Sequence, residues 1–268
     1  MKRRLVFLIF LFCGSVVSAF AYNNTYALIV AVADYQNFSP GNGDLVYTVP
    51  DARSFSNFLQ SKKGGSVPSS NIVLLTDSNA SKANIISKGK ALFAKAKKDD
   101  RVIFYFSGHG DRGCFLPYDV TTSGGNLLYF NEIKSIFKCA KCNTKLLFAD
   151  ACFAGSMREG LVSNKAVKLN MEKGAKAASN MNIAVMMSCQ GNETSIESRE
   201  LGNGLFTYYL MQGLGGKANS DGNRYVTIQE LYYYVYHKVQ NKAYSVGHKQ
   251  TPELFGKFDL RLIVANLL

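Results

Sequence analysis

Cysteine is scarce in these 268 residues. There are six in all, and five lie beyond residue 21: Cys114, Cys139, Cys142, Cys152 and Cys189. So few over this length exclude a disulfide-built scaffold. In an oxidising compartment an odd number leaves at least one thiol unpaired or paired with another chain. No second cysteine or histidine pair accompanies Cys139 and Cys142 to complete a zinc site. A local disulfide and two idle thiols are the readings left for that pair. Acidic residues are also in deficit, with 19 Asp and Glu against 31 Lys and Arg, for a net charge of +12. The lysines are dispersed, and the densest run, Lys95 to Lys98, reads as the solvated face of a helix, so nucleic acid is not an expected partner. Past residue 21 no segment is long and apolar enough to cross a bilayer, which takes about 20 residues. Neither an internal repeat nor a low-complexity tract occurs. With 47% hydrophobic and 19% charged residues, a disordered or fibrous chain is excluded.

Residues 1–21, MKRRLVFLIFLFCGSVVSAFA, place Lys2, Arg3 and Arg4 ahead of an apolar run and end on Ala19-Phe20-Ala21. That order is expected of a secretory signal peptide cleaved after Ala21. The apolar run is too short to span a membrane, and Phe12 is too bulky to precede a lipid-modified Cys13. An uncleaved anchor is the alternative. The expectation is one exported domain over residues 22–268, periplasmic or secreted, with no stable membrane anchor and an unassigned oligomeric state.

Short apolar runs then alternate with helical patterns. Strands are expected over residues 27–33, 72–75, 102–106, 146–148 and 183–187, with a sixth at 258–264. The first five are almost continuous in Val, Ile, Leu, Phe, Ala or Met, as suits strands buried on both faces of a parallel sheet. Helices are expected over 51–59, where Ala52, Phe55, Phe58 and Leu59 share a face, and over 84–96, where Ile85, Leu92, Phe93 and Ala96 do. Others are expected over 131–137, 205–214 and 227–239, and Gly64-Gly65 and Gly124-Gly125 punctuate loops. This alternation predicts an α/β sandwich, a mainly parallel sheet of about six strands with helices on both faces. Residues 163–182 break the pattern. With Lys165, Lys168, Lys173 and Lys176 and few large apolar residues, they read as a long surface loop.

The third expected strand runs into Phe106-Ser107-Gly108-His109-Gly110, and the fourth into Asp150-Ala151-Cys152-Phe153-Ala154-Gly155-Ser156. Ligands of open α/β sheets bind beyond the carboxyl ends of the strands, so His109 and Cys152 can face each other across one cleft. A thiol nucleophile needs this arrangement, because the thiolate reacts while a neighbouring imidazole carries the proton. Glycines on both sides of His109 let the backbone approach a substrate closely. Taken singly, such a histidine is more often structural and such a cysteine a small buried hydrophobe. Together, at the ends of neighbouring strands, they point to chemistry. His237 and His248 match no comparable pattern.

On these residues the chain resembles the caspase-like cysteine peptidases, and within them the metacaspase branch. The resemblance rests on SGHG at Ser107–Gly110 and DACFAGS at Asp150–Ser156, and it covers about residues 26–264. Looser echoes are ALIVAVADY at 27–35, Asp51-Ala52, SCQGNETSIE at 188–197 and GLFTYYL at 204–210. It implies a caspase-like fold in which Cys152 is the nucleophile and His109 the general base and acid. The backbone N–H groups of Cys152 and Gly110 would form the oxyanion hole. Caspases proper carry glutamine two residues before the nucleophile, where this chain has Asp150. Likeness to metacaspases makes Asp150, Asp51 and Ser107 the lining of the primary specificity pocket. Two carboxylates in a cleft favour an Arg or Lys side chain and penalise an acidic one. For Asp51 the alternative is a helix N-terminal charge meeting the dipole.

The expected function is an exported cysteine endopeptidase that cuts peptide or protein substrates after Arg or Lys and cuts itself within 163–182. A catalytically inactive caspase-like scaffold or binding protein is the alternative. No cofactor is required by this reading, and calcium is kept only as an alternative. Metacaspase-like calcium sites use several loop aspartates, whereas this chain offers scattered candidates such as Asp119 and Glu159. Asn219-x-Asp221-x-Asn223, with Thr227 and Glu230, imitates a calcium loop between two helices, but Arg224 stands where the sharp turn needs glycine. A decayed loop or an ordinary Asn/Asp turn is the reading there, and a calcium-binding interaction module is the third function considered.

Overall fold

Strands made almost wholly of Val, Ile, Leu, Phe and Ala have no face to offer water, and here they lie between two layers of helices. The structure, a computed structural model, describes residues 22–38, 44–111, 113–152, 173, 182–191 and 193–267, with the backbone alone for Cys152. The expected signal peptide and nearly all of the 163–182 loop fall outside the described residues.

In chain order the first half holds β1 (Thr25–Ala31), α1 (Thr48–Gln60), β2 (Ile72–Thr76), α2 (Lys82–Phe93), β3 (Arg101–Asp111), β4 (Cys114–Phe115), β5 (Leu128–Tyr129), α3 (Phe130–Phe137) and β6 (Thr144–Cys152). Then come β7 (Ala184–Met187), β8 (Glu197–Ser198), β9 (Asn203–Gly204), α4 (Leu205–Gln212), β10 (Tyr225–Thr227), α5 (Ile228–Ser245), β11 (Glu253–Phe255) and β12 (Ile263–Asn266). The sheet runs β11-β7-β6-β3-β1-β2. Strands β7, β6, β3, β1 and β2 run parallel to one another, and β11 lies antiparallel on β7 at one edge.

Alternate residues of each strand feed opposite faces. Leu28, Val30, Val102, Phe104, Phe106 and Leu147 pack with α2 and α3, through Ile85, Leu92, Phe93, Ile133 and Phe137. Ala27, Ile29, Ile103, Tyr105, Leu146 and Phe148 pack with α1, α4 and α5, through Phe55, Leu59, Phe206, Leu210, Leu231 and Val235. This two-sided burial explains why the strands read as continuous apolar runs rather than alternating ones.

Two expectations change. The run 258–264 does not join the sheet, because Arg261 turns back on Asp259, with its N–H at 2.9 Å and its guanidinium at 3.0 Å from the carboxylate. The chain becomes extended only afterwards, as β12 paired with β10. The sheet's sixth strand is the three-residue β11 instead. α5 also runs on to Ser245, started by a capping box in which Thr227 and Glu230 bond reciprocally.

Phe148 is fully buried and meets Phe55 edge-on, with ring centroids 6.4 Å apart. Phe148→Ala is expected to lower stability by about 3–5 kcal/mol, read from the midpoint of urea unfolding, with the helical circular dichroism of the folded form unchanged.

Candidate active site

β3 and β6 extend beyond the body of the sheet in continuous parallel register. Ser107 pairs with Asp150, Gly108 with Ala151 and His109 with Cys152. The two expected reactive residues are therefore neighbours across adjacent strand ends. His109 is held by its backbone: its N–H donates to Tyr35 Oη at 2.7 Å, and its carbonyl accepts from Leu116 N–H at 3.0 Å. The Tyr35 and His109 rings lie 5.3 Å apart, tilted by 30°. A Cβ on Gly108 would sit 3.0 Å from Tyr35 Oη, so glycine there keeps this contact open. Gly110 stands opposite Phe115 of β4. Before Cys152, Ser188 Oγ accepts from Ala151 N–H at 3.1 Å and donates to Ala151 O at 3.2 Å.

Asp150 and Asp51 come from different layers. Asp150 follows the core of β6, Asp51 sits in the first turn of α1, and they are 7% and 2% exposed. Asp51 thus lies in the first turn of α1 and beside Asp150. The segment 195–207 supplies their partners. Ser195 Oγ donates to Asp150 Oδ1 at 2.5 Å, and Thr207 donates to Oδ2 through its N–H at 3.2 Å and its Oγ1 at 2.8 Å. Asn203 Nδ2 donates to Asp51 Oδ1 at 2.7 Å, and Gly204 N–H reaches both Asp51 oxygens at 3.0 Å. Thr207 Oγ1, having given its hydrogen to Asp150, accepts from Tyr105 Oη at 2.6 Å. Ser107, buried beside Asp150, bonds the same tyrosine.

Gly204 lies between the carboxyl groups. A Cβ there would stand 2.5 Å from Asp150 Oδ2 and 2.7 Å from Asp51 Oδ2. Burial pushes the Asp51 carboxyl up to about 8, helped by the charge of Asp150. Burial also raises Asp150, against the pull of its bonds from Ser195 and Thr207. Glu197 adds to both from β8, where its carboxylate accepts from Tyr47 N–H at 2.8 Å. Carboxyl groups this close titrate as a unit and favour a cationic neighbour.

Tyr105 and Asn203 were not singled out from the sequence, and Ser195, Glu197, Gly204 and Thr207 figured there only inside the echoes at 188–197 and 204–210. A tyrosine within the apolar β3 and a threonine within the apolar α4 were the available signals, since buried hydroxyls need partners. Gln250, 1% exposed, is a further one. Its Nε2 donates at 3.0 Å to both Ser188 O and Ser195 Oγ, and its Oε1 accepts from Ile196 N–H at 2.9 Å.

Other candidates have local roles. Cys139 and Cys142 are not joined as a disulfide, Cys114 is likewise a free thiol, and burial pushes the thiols of Cys114 and Cys142 up. Asp119 accepts from Lys82 N–H at 2.8 Å at the start of α2. In the 219–230 loop, Asn219 and Asp221 close Asx turns onto Gly222 and Asn223 N–H at 2.9 and 3.0 Å, while Glu230 caps α5 and accepts from Ser220. Among the described residues no three His, Cys, Asp or Glu side chains gather as a metal-binding group. Glu159, Lys165, Lys168 and Lys176 lie outside the described residues.

Comparison with known proteins finds similarity to a family, to a curated protein and to solved structures. A family model described as a caspase domain matches residues 24–261. A probable protease from a Desulfuromonadales bacterium is 26% identical over 264 residues, covering 85% of this chain. The match spans 31% of that protein's length. A crystal structure of a Geobacter sulfurreducens protein resembles the fold with a TM-score of 0.56 at 16% identity, over 91% of this chain and 100% of that one.

Gly204→Ala is expected to force the carboxyl groups apart and cost about 1–3 kcal/mol in urea unfolding. A carboxyl that holds its proton more tightly when folded stabilises the fold fully below about pH 4, and that contribution fades as pH rises toward about 8. The melting temperature should fall across that window, and Asp51→Asn should flatten the fall.

Proposed function

Since the chain belongs to the caspase-domain family of cysteine peptidases, we propose that it is an endopeptidase in which Cys152 and His109 perform acyl transfer. The observation that carries this reading is the pairing of His109 with Cys152 across the ends of β3 and β6. His109 takes the thiol proton, and Cys152 Sγ attacks the substrate carbonyl carbon. The backbone N–H groups of Cys152 and Gly110 receive the negative charge that develops on its oxygen. His109 then gives the proton to the leaving amine, and water activated by the same imidazole hydrolyses the thioester. Tyr35 supports this role by holding the histidine backbone, and Ser188 by holding the residue before the cysteine.

Specificity for Arg or Lys before the cut is the second part of the proposal, and the Asp51–Asp150 pair supports it. A guanidinium or ammonium group between two carboxyl groups forms charge-assisted hydrogen bonds and relieves their mutual repulsion. An acidic side chain there would add a third like charge. Export through residues 1–21 and self-cleavage after a lysine within 163–182 complete the proposal, supported by the signal-like order of the first and the lysines of the second.

Cys152→Ala and His109→Ala should each remove most cleavage of Arg-ended reporter peptides, and the double variant should lose no more than either alone. Asp-ended reporters should be ignored. Asp150→Asn should weaken turnover of Arg reporters by on the order of tenfold. Full activity in Cys152→Ala would sink the assignment, and preferred cleavage after Asp would overturn the specificity. Production of wild type and Cys152→Ala side by side tests self-cleavage, since fragments should appear in the wild type alone.

A further inference from the structure

The carboxyl pair is fully engaged in this structure. Asp51 Oδ1 takes Asn203 Nδ2 and Gly204 N–H, Asp51 Oδ2 takes Gly204 N–H, and the Asp150 oxygens take Ser195 and Thr207. Even one methyl group on Gly204 would collide with both carboxylates, and every oxygen of the pair already has a donor. Something must leave before a cation can enter.

The donors differ in how easily they can go. Gly204 N–H and Thr207 N–H belong to the backbone of β9 and α4, and Ser195 Oγ is held in turn by Gln250. Asn203 is different. It is only half-buried, and its NH2 group reaches Asp51 Oδ1 at 2.7 Å, in the position one arm of a guanidinium would take. It rides on a short hairpin in which only Glu197 pairs with Gly204 and Ser198 with Asn203. The turn passes through Gly202 at φ +65°, and its outer side is tied by the exposed ion pair of Glu200 with Lys242 at 2.7 Å. Exposed pairs of this kind add little to stability.

We propose that Asn203 is a built-in plug of the specificity pocket, a neutral mimic of the substrate's cation that must swing away from Asp51 before an Arg or Lys side chain can bind. This rests on the Arg/Lys reading of the pair. The trade is favourable once made, because a bidentate charged donor replaces a single neutral amide. The plug therefore sets a threshold for entry: cations that form charge-assisted bonds to the pair displace it, and neutral side chains do not.

The test uses the full chain carrying Cys152→Ala, so that nothing is turned over, and the fluorescent cation p-aminobenzamidine as probe. With Asn203 in place, the observed binding rate should level off as probe concentration rises, because opening of the plug limits entry. With Asn203→Ala added, the rate should rise linearly and the probe should bind on the order of tenfold more tightly. The kinetics of the Asn203 form need no further substitution, so the proposal does not hang on the folding of one variant. Linear rates with Asn203 present, or weaker binding in Asn203→Ala, would overturn the plug while leaving the cation pocket standing. Absence of binding in both forms would overturn the specificity reading and the plug together.

Discussion

Parallel pairing of β3 with β6 is the constraint on which the rest of the site depends. It runs from Arg101 opposite Thr144 to His109 opposite Cys152 without a break. Its register is set far from the chemistry, in the core. Val102, Phe104 and Phe106 must face α2 and α3, while Ile103 and Tyr105 must face α1, α4 and α5. A slip of one residue would send each of these side chains to the opposite layer, and the two layers are not interchangeable. Packing of large apolar side chains thus determines that Ser107 stands beside Asp150 and His109 beside Cys152.

The acid pair shows the cost of such placement. Two carboxyl groups almost without exposure, drawn from β6 and α1, oppose their own ionisation, and both hold protons more tightly than usual. Donors from one stretch of chain, 195–207, make the arrangement tolerable. That stretch is positioned by Gln250, which reaches Ser188 beside the strand end of Cys152 and Ser195 beside Asp150. A fully satisfied buried polar network of this kind is rigid and demanding, since removal of any one member leaves its partners unpaired. At Gly204 a side chain of any size would break it.

Buried thiols such as Cys114 and Cys142 are pushed away from the thiolate form by desolvation. In the 219–223 loop the oxygens of Asn219 and Asp221 accept backbone N–H groups of the same turn. Both are cases where residue types suited to chemistry are spent on local structure.

Much of this protein was readable along the chain because its signals are local. Continuous apolar runs marked β1, β2, β3, β6 and β7, helical spacing marked α1 to α5, and Ser107–Gly110 and Asp150–Cys152 marked the two strand ends that bring His109 beside Cys152. The limits were equally physical. β11 has three residues, too few to show a period, and the run expected as the sixth strand is bent by the contact of Arg261 with Asp259. Ser195, Asn203, Thr207 and Gln250 lie 45 to 100 positions from Asp150 and further still from Asp51, so no spacing rule links them. Which donor meets which carboxylate oxygen depends on how the layers close over the sheet. That closure, driven by the burial of two separate apolar faces, has no signature in the order of residues alone.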